Sequence, residues 1–148
     1  HRLIFSRATP PFQIRLRAPG RTEISLLDAA VETHIRPVEE VRDRLLNLGP
    51  HRVCFDLAKL KGELVLRNRR PGDRFQPYGM SGTRKVSDLL IDGKIPEPLR
   101  DEIPLLLSNR TILWVIGLRT AQPAAVTGQT QHVLDVVFTG GWICSAES

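Results

Sequence analysis

Short segments in which apolar and polar residues alternate recur along this chain, and they constrain its fold more than any other feature. Phe12, Ile14 and Leu16 show the two-residue period first. Further strand-sized segments follow at residues 24–27, 31–35, 53–57, 64–69, 111–118 and 132–138. Because successive side chains of a strand point to opposite faces, this pattern predicts short strands, most of which bury one face.

Helical spacing is found in only a few places. Residues 38–48 hold apolar side chains three or four positions apart, with Pro37 near the start and Gly49 just past the end, which predicts a helix. Pro98 is placed to open one further helical turn. Because the helices do not alternate regularly with the strands, the pattern predicts a mainly β (α+β) domain rather than a doubly wound sheet.

A second short helix is expected near residue 86, after a segment rich in turn residues. Either Ser81 or Thr83 is suited to cap its start, and Gly93 is placed to end it. Its buried face is expected to consist of Val86, Leu89 and Leu90.

The length of 148 residues fits one domain, which we expect over residues 1–140, with a tail at 141–148. No apolar run approaches the ~20 residues of a membrane helix, and no signal peptide is recognisable, so a cytoplasmic protein without membrane contact is expected. The two cysteines, Cys54 and Cys144, are far apart in the sequence and form no Cys-x-x-Cys pair. Reduced thiols are the simpler interpretation, and a disulfide is the alternative.

The positive charge of the chain is concentrated in one segment. Residues 59–85, called the basic segment below, contain eight basic and two acidic residues, a net charge of +6. The remainder contains 13 basic and 14 acidic residues, so the whole excess in the net charge of +5 lies in this segment. Such a patch is typical of nucleic-acid binding, and the alternative is a solvated basic loop.

The chain lacks the sequence patterns of common catalytic sites. It contains no Gly-x-x-x-x-Gly-Lys-Ser/Thr loop, no Gly-x-Ser-x-Gly elbow and no His-Glu-x-x-His pair. Its four histidines have no metal-ligand spacing, and its acids near the second helix are more simply interpreted as charges at helix ends. We therefore expect neither a catalytic centre nor a metal or cofactor in this chain.

The basic segment begins with a strand and a turn. The strand pattern places Arg67 and Arg69 on one side, about 7 Å apart, which is close to the phosphate spacing of a nucleic-acid strand. Pro71-Gly72 then reverses the chain. Asp73 either accepts backbone N–H groups in this turn or pairs with a neighbouring arginine.

The second half of the basic segment contains two aromatic residues and a glycine-containing loop. Phe75 is interpreted as a core anchor, whereas Tyr78 is equally compatible with a buried position and with a ring that stacks on bases. Gly79 and Gly82 allow the backbone to approach a partner closely, as in the Gly-x-x-Gly loops of some RNA-binding modules. A plain surface turn is the alternative. Two basic residues then stand at the expected start of the helix: Arg84 and Lys85.

A series of motifs, taken in order, resembles the C-terminal domain of tRNA-lysidine synthetase. The motifs are Arg69-Arg70-Pro71-Gly72-Asp73-Arg74-Phe75, Pro77-Tyr78-Gly79-Met80, Lys85-Val86-Ser87-Asp88-Leu89-Leu90-Ile91-Asp92, Lys94-Ile95-Pro96, Arg100-Asp101, Pro104-Leu105-Leu106 and Trp114-Val115-Ile116-Gly117-Leu118-Arg119. The resemblance is strongest over residues 56–138 and looser over the first fifty residues. Motifs in matching order and spacing are far more specific than any one of them.

The resemblance implies that the chain is part of a larger enzyme. That family uses ATP, with Mg, to attach lysine to C2 of the wobble cytidine of an isoleucine tRNA. Its Ser-Gly-Gly-x-Asp-Ser loop lies in an N-terminal catalytic domain and is absent here, which implies a tRNA-docking domain that is inactive alone. In the family this domain contacts the tRNA acceptor region. Its fold is similar to a layered β-sandwich module in the phenylalanyl-tRNA synthetase β subunit.

Candidate RNA-binding residues are taken from the matched motifs and from the charges beside them. Those ranked first are Arg67, Arg69, Arg70, Arg84 and Lys85, together with the loop glycines Gly79 and Gly82. Three further candidates have the alternative role of stabilising the fold, because each stands beside an acid: Arg74 by Asp73, Lys94 by Asp92 and Arg100 by Asp101. The alternative function is a structural or dimerising module with an incidental basic surface, which leaves a homodimer open.

Overall fold

The structure, a computed structural model, describes residues 9–141. In chain order its strands are β1 (Gln13–Arg15), β2 (Gly20–Ile24), β3 (Ala29–Pro37), β4 (Arg52–Asp56), β5 (Leu64–Arg67), β6 (Arg74–Phe75), β7 (Arg84–Lys85), β8 (Leu105–Ser108), β9 (Thr111–Val115), β10 (Arg119–Thr120) and β11 (His132–Gly140). The helical elements are α1 (Val86–Asp92) and 3₁₀ segments at Ser25–Leu27, Val38–Glu40, Arg42–Asn47, Leu57–Lys59 and Glu97–Glu102. The expected tail at 141–148 lies, from residue 142 onward, outside the described residues.

The strands form two larger sheets and one small one, and all their pairings are antiparallel. The five-stranded sheet has the order β1-β5-β8-β9-β10, and the four-stranded sheet has the order β2-β3-β11-β4. The strands β6 and β7 form a separate hairpin. The last strand along the described chain, β11, lies between β3 and β4 and pairs with both.

A single core lies between the two larger sheets. Leu66 and Trp114 from the five-stranded sheet belong to the same buried cluster as Phe55 and Phe138 from the four-stranded sheet. Burying one such side chain contributes about 1.5–3 kcal/mol, so this shared core is the main reason why the two layers hold together. The predicted mainly β, layered fold is confirmed.

Residues 38–48 do not form the predicted helix. They form two 3₁₀ segments, which are separated at Val41, where φ is −125° and the helical path is interrupted. The apolar spacing still has a structural role, because Val38 and Val41 pack with Cys54 and Val133 on the outer side of the four-stranded sheet. The pattern therefore identified the buried side chains correctly and the backbone conformation wrongly.

The other local predictions have mixed outcomes. The helix α1 buries Val86, Leu89 and Leu90 and ends at Gly93, as predicted. Its N-cap is Lys85, which makes no side-chain capping bond, so the predicted cap at Ser81 or Thr83 is wrong. The predicted strand at 24–27 is wrong beyond Ile24, because a 3₁₀ segment follows.

Two strands of the five-stranded sheet, β8 and the two-residue β10, had no counterpart among the sequence predictions. The longer of them, β8, buries its leucines 105–107 next to β5 and β9. Its sequence follows a proline-rich segment and has no alternation, because both faces of the strand are covered.

A buried carboxylate connects three strands of the four-stranded sheet. The side chain of Asp135 on β11 is 1% exposed and accepts hydrogen bonds from Arg36 on β3 and Arg52 on β4, at 2.7–2.9 Å. Burial alone raises the pKa of this carboxyl, but the bonds from Arg52 and Arg36 outweigh burial and hold the pKa below its usual value. Asp135 is therefore ionised and acts as a charged crosslink across the sheet.

Two further findings concern the cysteines and the membrane prediction. Cys54 is buried as a free thiol, and burial is the main cause that raises its pKa to about 11, so it is an unreactive core residue. The other cysteine, Cys144, lies outside the described residues. Within residues 9–141, no helix has the length and apolar character needed to cross a membrane.

Candidate nucleic-acid interface

The basic segment is folded around the small hairpin of β6 and β7. Arg74 pairs with Lys85 and Phe75 with Arg84 in the hairpin register. Phe75 is buried in the main core, which confirms its interpretation as an anchor. Because α1 starts directly after β7, the anchored hairpin also fixes where the helix begins.

Arg67 is part of the fold rather than of the surface. It is 8% exposed, and its guanidinium forms two parallel hydrogen bonds with Asp73, at 2.9 and 3.0 Å. Burial raises the pKa of Asp73, but the bonds from Arg67 and from the Arg70 N–H more than offset this and lower the pKa. This buried pair closes the turn after β5, so the expectation that Arg67 presents its charge to a phosphate is corrected.

Two more candidate arginines form ion pairs with acids that stand later in the chain. Arg69 donates to Asp101 through Nε at 2.9 Å, and Arg84 pairs with Asp92. Both pairs are partly exposed, so a phosphate could compete for these arginines. Asp73, Asp92 and Asp101 are therefore all held by arginines, but not by the residues that stand beside them in the sequence.

Most of the remaining basic candidates have exposed side chains. These are Arg70, Arg74, Lys85 and Lys94. Arg70 contacts the side chain of Gln13 at 2.6 Å, and the Nε of Arg74 donates to the Thr83 hydroxyl at 3.1 Å. The sequence suggested that Arg74 stabilises the fold by pairing with Asp73, but its side chain bonds to Thr83 instead.

Arg100 and Lys94 are also placed differently from their sequence interpretation. Arg100 is half-buried and donates to the carbonyl of Ile95 at 2.9 Å, which ties the 3₁₀ segment Glu97–Glu102 to the end of the preceding loop. Lys94 has φ +58°, so its backbone lies in the left-handed region while its side chain is exposed. The predicted stabilising pairs with Asp92 and Asp101 are therefore replaced by pairs to Arg84 and Arg69.

The two loop glycines have different roles. Gly79 has φ +83°, a conformation that side-chain-bearing residues rarely adopt, and its N–H donates to Gln122 at 2.8 Å. Gly82 is outside the left-handed region and nothing lies within 4 Å of an added Cβ, so the backbone shape of the loop does not require glycine there, while close approach to a partner stays a prediction. Only Gly79 is fixed by backbone conformation.

A shallow notch lies beside the turn after β5. It has a volume of about 330 Å³, and its polar lining consists of Arg69, Arg70, Asp73, Ser87 and Asp101. Guanidinium and hydroxyl groups around such a space suit a phosphate group, while the carboxylates of Asp73 and Asp101 oppose one. Nothing in this arrangement pairs a nucleophile with a base, so its chemistry is that of charge recognition.

The exposed groups of the basic segment are mainly cationic. In the described part of the chain, no three His, Cys, Asp or Glu side chains are grouped so that they could hold a metal ion. The arrangement combines an anchored hairpin, a short helix and several exposed basic side chains, which suits the binding of a polyanion.

Residues distant in the sequence support this surface, and sequence reasoning missed them. Gln122 and Arg119 bond to the turn at residues 77–80 from more than forty positions away, and no local pattern signals such contacts. Asn68 is buried and joins Pro10 to Asp101 through its amide. The exposure of Leu46 could have been predicted, because Leu46 lies off the apolar face expected for residues 38–48. It is 97% exposed in the structure.

The fold and the exposed residues of the basic segment together define a two-layer antiparallel β domain with a basic hairpin. Residues 64–136 match the family model described as "TilS substrate C-terminal domain". The chain belongs to the family of the C-terminal domain of tRNA(Ile)-lysidine synthase, which confirms the resemblance seen in its motifs.

Curated relatives support this membership. The chain is 38% identical over 128 residues to the tRNA(Ile)-lysidine synthase of Caldanaerobacter subterraneus subsp. tengcongensis, covering 86% of this chain and 27% of that protein. It is 39% identical over 118 residues to the enzyme of the same name from Symbiobacterium thermophilum, covering 78% of this chain and 24% of that protein. The chain thus spans about a quarter of the length of the curated relatives it matches.

Solved structures agree with the fold. A crystal structure of a TilS C-terminal domain superposes with a TM-score of 0.72 at 25% identity, over 88% of this chain and 98% of that chain. An N-terminal fragment of the phenylalanyl-tRNA synthetase β-subunit from Pyrococcus horikoshii superposes with a TM-score of 0.51 at 18% identity, over 70% of this chain and 32% of that chain. The second likeness is one of fold alone, and it agrees with the expected similarity to that module.

Proposed function

We propose that this chain is the tRNA-binding domain of an ATP-dependent ligase that attaches lysine to the wobble cytidine of isoleucine tRNA. In this proposal the domain docks the acceptor region of the tRNA, as the family resemblance implies. The observation that supports this proposal most is that the chain belongs to the family of this domain. The excess of positive charge in the sequence also lies entirely in the basic segment. A nucleic acid can bind to such a surface through its phosphate backbone, because phosphate contacts fix the position of the protein on the nucleic acid without reading the base sequence.

The structure changes the set of residues proposed to bind RNA. Arg70, Arg74, Lys85 and Lys94 are exposed and form the primary set. Arg69, Arg84 and Arg100 are partly exposed and already bonded, so they contribute secondarily. Gly79 acts through the backbone, Gly82 allows close approach, and Arg67 is removed from the set.

The remaining chemistry is assigned to other parts of the enzyme. ATP with Mg and free lysine are substrates of an N-terminal catalytic domain of the same protein, which we propose to operate in the cytoplasm. Residues 1–140 form the docking unit in this proposal. We expect no ATP hydrolysis and no lysine transfer by the chain alone, and tRNA-dependent ATP turnover by the purified chain would contradict this assignment.

A salt titration of tRNA binding tests the docking proposal. Phosphate contacts release counterions, so the logarithm of the binding constant should fall steeply with the logarithm of salt concentration. Removing one contact lowers that slope by about 1 unit. The double variant Arg84→Ala/Lys85→Ala should therefore bind more weakly with a flatter salt dependence, while its melting temperature hardly changes, since exposed charges contribute about 0–1 kcal/mol.

The matched control is the double variant Arg17→Ala/Arg110→Ala. Arg17 and Arg110 are both exposed and lie outside the basic segment, and their loss changes the net charge by two units, as in the Arg84/Lys85 variant. Binding and slope should be unaffected in this variant. If the Arg84/Lys85 variant keeps the original slope, the docking surface lies elsewhere; if no tRNA binds even at low salt, the chain is a structural or dimerising module instead.

A further inference from the structure

A second recess of the molecule is not explained by phosphate docking. It is a groove of about 490 Å³ at the open edges of the two sheets. Its lining comes from the 3₁₀ segment Arg42–Asn47, from β4, from β10 and from Tyr78. Among the described residues, its lining includes two arginines, Arg42 and Arg52, and no carboxylate side chain.

The ring of Tyr78 lies at this groove on a turn that is held rigidly. The Tyr78 N–H donates to Thr120 at 3.0 Å, and the Tyr78 carbonyl accepts from Arg119 at 2.9 Å. The next residues are held by Gln122 and Gln76, which bond to the Gly79 N–H and the Met80 carbonyl. All of these bonds use backbone atoms of the turn, so the side chain of Tyr78 is free of them while 53% of the residue's surface is exposed.

An exposed aromatic ring on a rigid turn suits stacking with little loss of entropy. Stacking of a base on an aromatic ring tolerates every base, because each base has a flat π face. The aliphatic part of the lining, including Leu45 and Leu48, would cover further apolar surface of the base and ribose. Of the two interpretations from the sequence, a buried position or a ring that stacks on bases, the exposed position of Tyr78 favours the stacking ring.

The charges of the groove favour a nucleotide over an apolar peptide. Arg52 uses Nε and Nη2 for Asp135, while Arg42 makes long contacts of 3.3–3.4 Å to the Thr127 and Thr130 carbonyls and pairs through Nε with the exposed Glu39 at 3.5 Å. A guanidinium has five N–H donors, so these bonds do not exhaust either side chain. Tyr78 also stands only seven residues before Lys85, so the same segment of the chain contributes to the groove and to the hairpin.

We propose that this groove binds an unpaired nucleotide of the bound RNA, with its base against Tyr78 and its phosphate towards Arg42 and Arg52. The inference rests on the proposed RNA docking. It adds a subsite for single-stranded RNA to a surface that otherwise contacts the phosphates of base-paired RNA. The occupant is then a single-stranded end or a splayed-out base rather than a helical stem.

Two RNA probes test the subsite on the intact 148-residue chain. One is a blunt-ended RNA stem-loop, and the other is the same stem-loop with a four-nucleotide 3′ single-stranded extension. The extension should improve affinity about tenfold, as expected for one stacked base. Tyr78→Ala should remove this gain and leave affinity for the blunt stem unchanged, whereas Tyr78→Phe, which keeps the ring, should retain the gain.

Two controls complete the experiment. Ile91→Ala removes an equally exposed apolar side chain from α1, outside the groove, and should retain the gain. Melting curves should be unchanged for Tyr78→Ala, because the bonds that hold the turn use the backbone.

The possible outcomes separate this inference from the docking proposal. If the blunt stem binds in a salt-dependent way but the extension adds nothing, or if Tyr78→Ala keeps the gain, the nucleotide subsite is overturned and docking stands. If neither RNA binds, both fail. If sedimentation shows a dimer that Leu46→Ser dissociates, a second copy of the chain covers the groove, and the subsite is overturned.

Discussion

Arg67 and Arg74 have the same side chain and stand in the same segment, but the structure gives them opposite roles. Arg67 forms a buried bidentate pair with Asp73, while Arg74 is exposed on the hairpin. Removing one partner of a buried pair leaves a charge without compensation, which costs about 3 kcal/mol or more. We expect Arg67→Ala to lower the free energy of unfolding by that amount, and Arg74→Ala by less than about 1 kcal/mol.

Chemical denaturation of both variants measures the difference. Arg67→Lys is the informative control, because a lysine keeps the charge but cannot make two parallel bonds to the carboxylate, and should recover only part of the loss. Equal stability of the two alanine variants would show that the Arg67–Asp73 pair does not hold the turn.

The two loop glycines give a second residue-scale prediction. Gly79→Ala places a Cβ on a residue with φ +83°, which costs about 1 kcal/mol, although no neighbouring atom is in the way. Gly82→Ala should be neutral or slightly stabilising, because its backbone is compatible with alanine and the unfolded chain loses freedom. Thermal melts of the two variants compare them directly, and a loss of similar size at Gly82 would show that its loop is constrained in some other way.

Charge pairing at the residue scale was only partly predictable. The sequence correctly offered an arginine as one partner for Asp73, but it pointed to neighbours in the chain. The actual partners of Asp92 and Asp101 are Arg84 and Arg69, eight and 32 positions away. Such pairs depend on how β5, β7 and α1 are placed in space, which no local pattern encodes.

At the scale of elements, the Asp135 network predicts an acid dependence of stability. The pKa of Asp135 is lower in the folded protein than its ordinary value of about 3.9, so its contribution is complete above that value. It is lost as the pH falls through the lower, folded pKa. Asp135→Asn should therefore lower stability at neutral pH by about 2 kcal/mol and flatten the decline below about pH 4.

Urea melts at several pH values between neutrality and strong acid measure this dependence. Asp43 is exposed in the 3₁₀ segment Arg42–Asn47, and Asp43→Asn provides the control. Its stability curve should keep the acid decline of the original chain. A variant at Asp135 with the same decline as the original chain would show that other carboxylates dominate.

Strands with an alternating sequence could be predicted even where both faces are covered, whereas a strand without alternation could not. The alternation at 31–35, 53–57 and 64–67 is found in β3, β4 and β5, although β4 buries both of its faces. The continuous leucines of β8 carry no period, and the prolines before them suggested a loop. The 3₁₀ path of 38–47 was missed because helical spacing reports only which side chains are buried, and a broken helix buries the same ones.

For the whole molecule, the shared core predicts that the two sheets unfold together. Leu106 lies in the five-stranded sheet and Val136 in the four-stranded sheet, and both are buried in the same cluster. Leu106→Ala should cost about 2–5 kcal/mol and Val136→Ala somewhat less, because fewer methyl groups are removed. Each should lower the midpoint of one common transition, and two transitions with only one of them shifted would indicate separate units.

Tryptophan fluorescence and far-UV circular dichroism supply the two probes for this test. In a Trp142→Phe background, which removes the second tryptophan of the chain, Trp114 reports on the five-stranded sheet, whereas circular dichroism reports on both sheets. Coincident transitions are expected for a cooperative unit.

The overall architecture was accessible from sequence in two different ways. Alternation and turn residues predicted a mainly β domain, but they did not give the order of the strands. The layered arrangement came from the family resemblance, carried by motifs such as those at 69–75 and 114–119. The groove beside Tyr78 was not predictable, because its lining comes from four separate parts of the chain.

The central position of β11 also has a consequence for synthesis on the ribosome. Among the strands of residues 9–141, β4 pairs with β11 alone, and Asp56 of β4 is opposite Val133. A nascent chain that has released β4 must therefore wait until β11 has emerged before this strand finds its neighbour. Closing so long a loop is slow compared with local hairpin formation. The growing polypeptide would carry an exposed strand edge during this interval, so it is most prone to pair wrongly with other chains in the period before β11 is available.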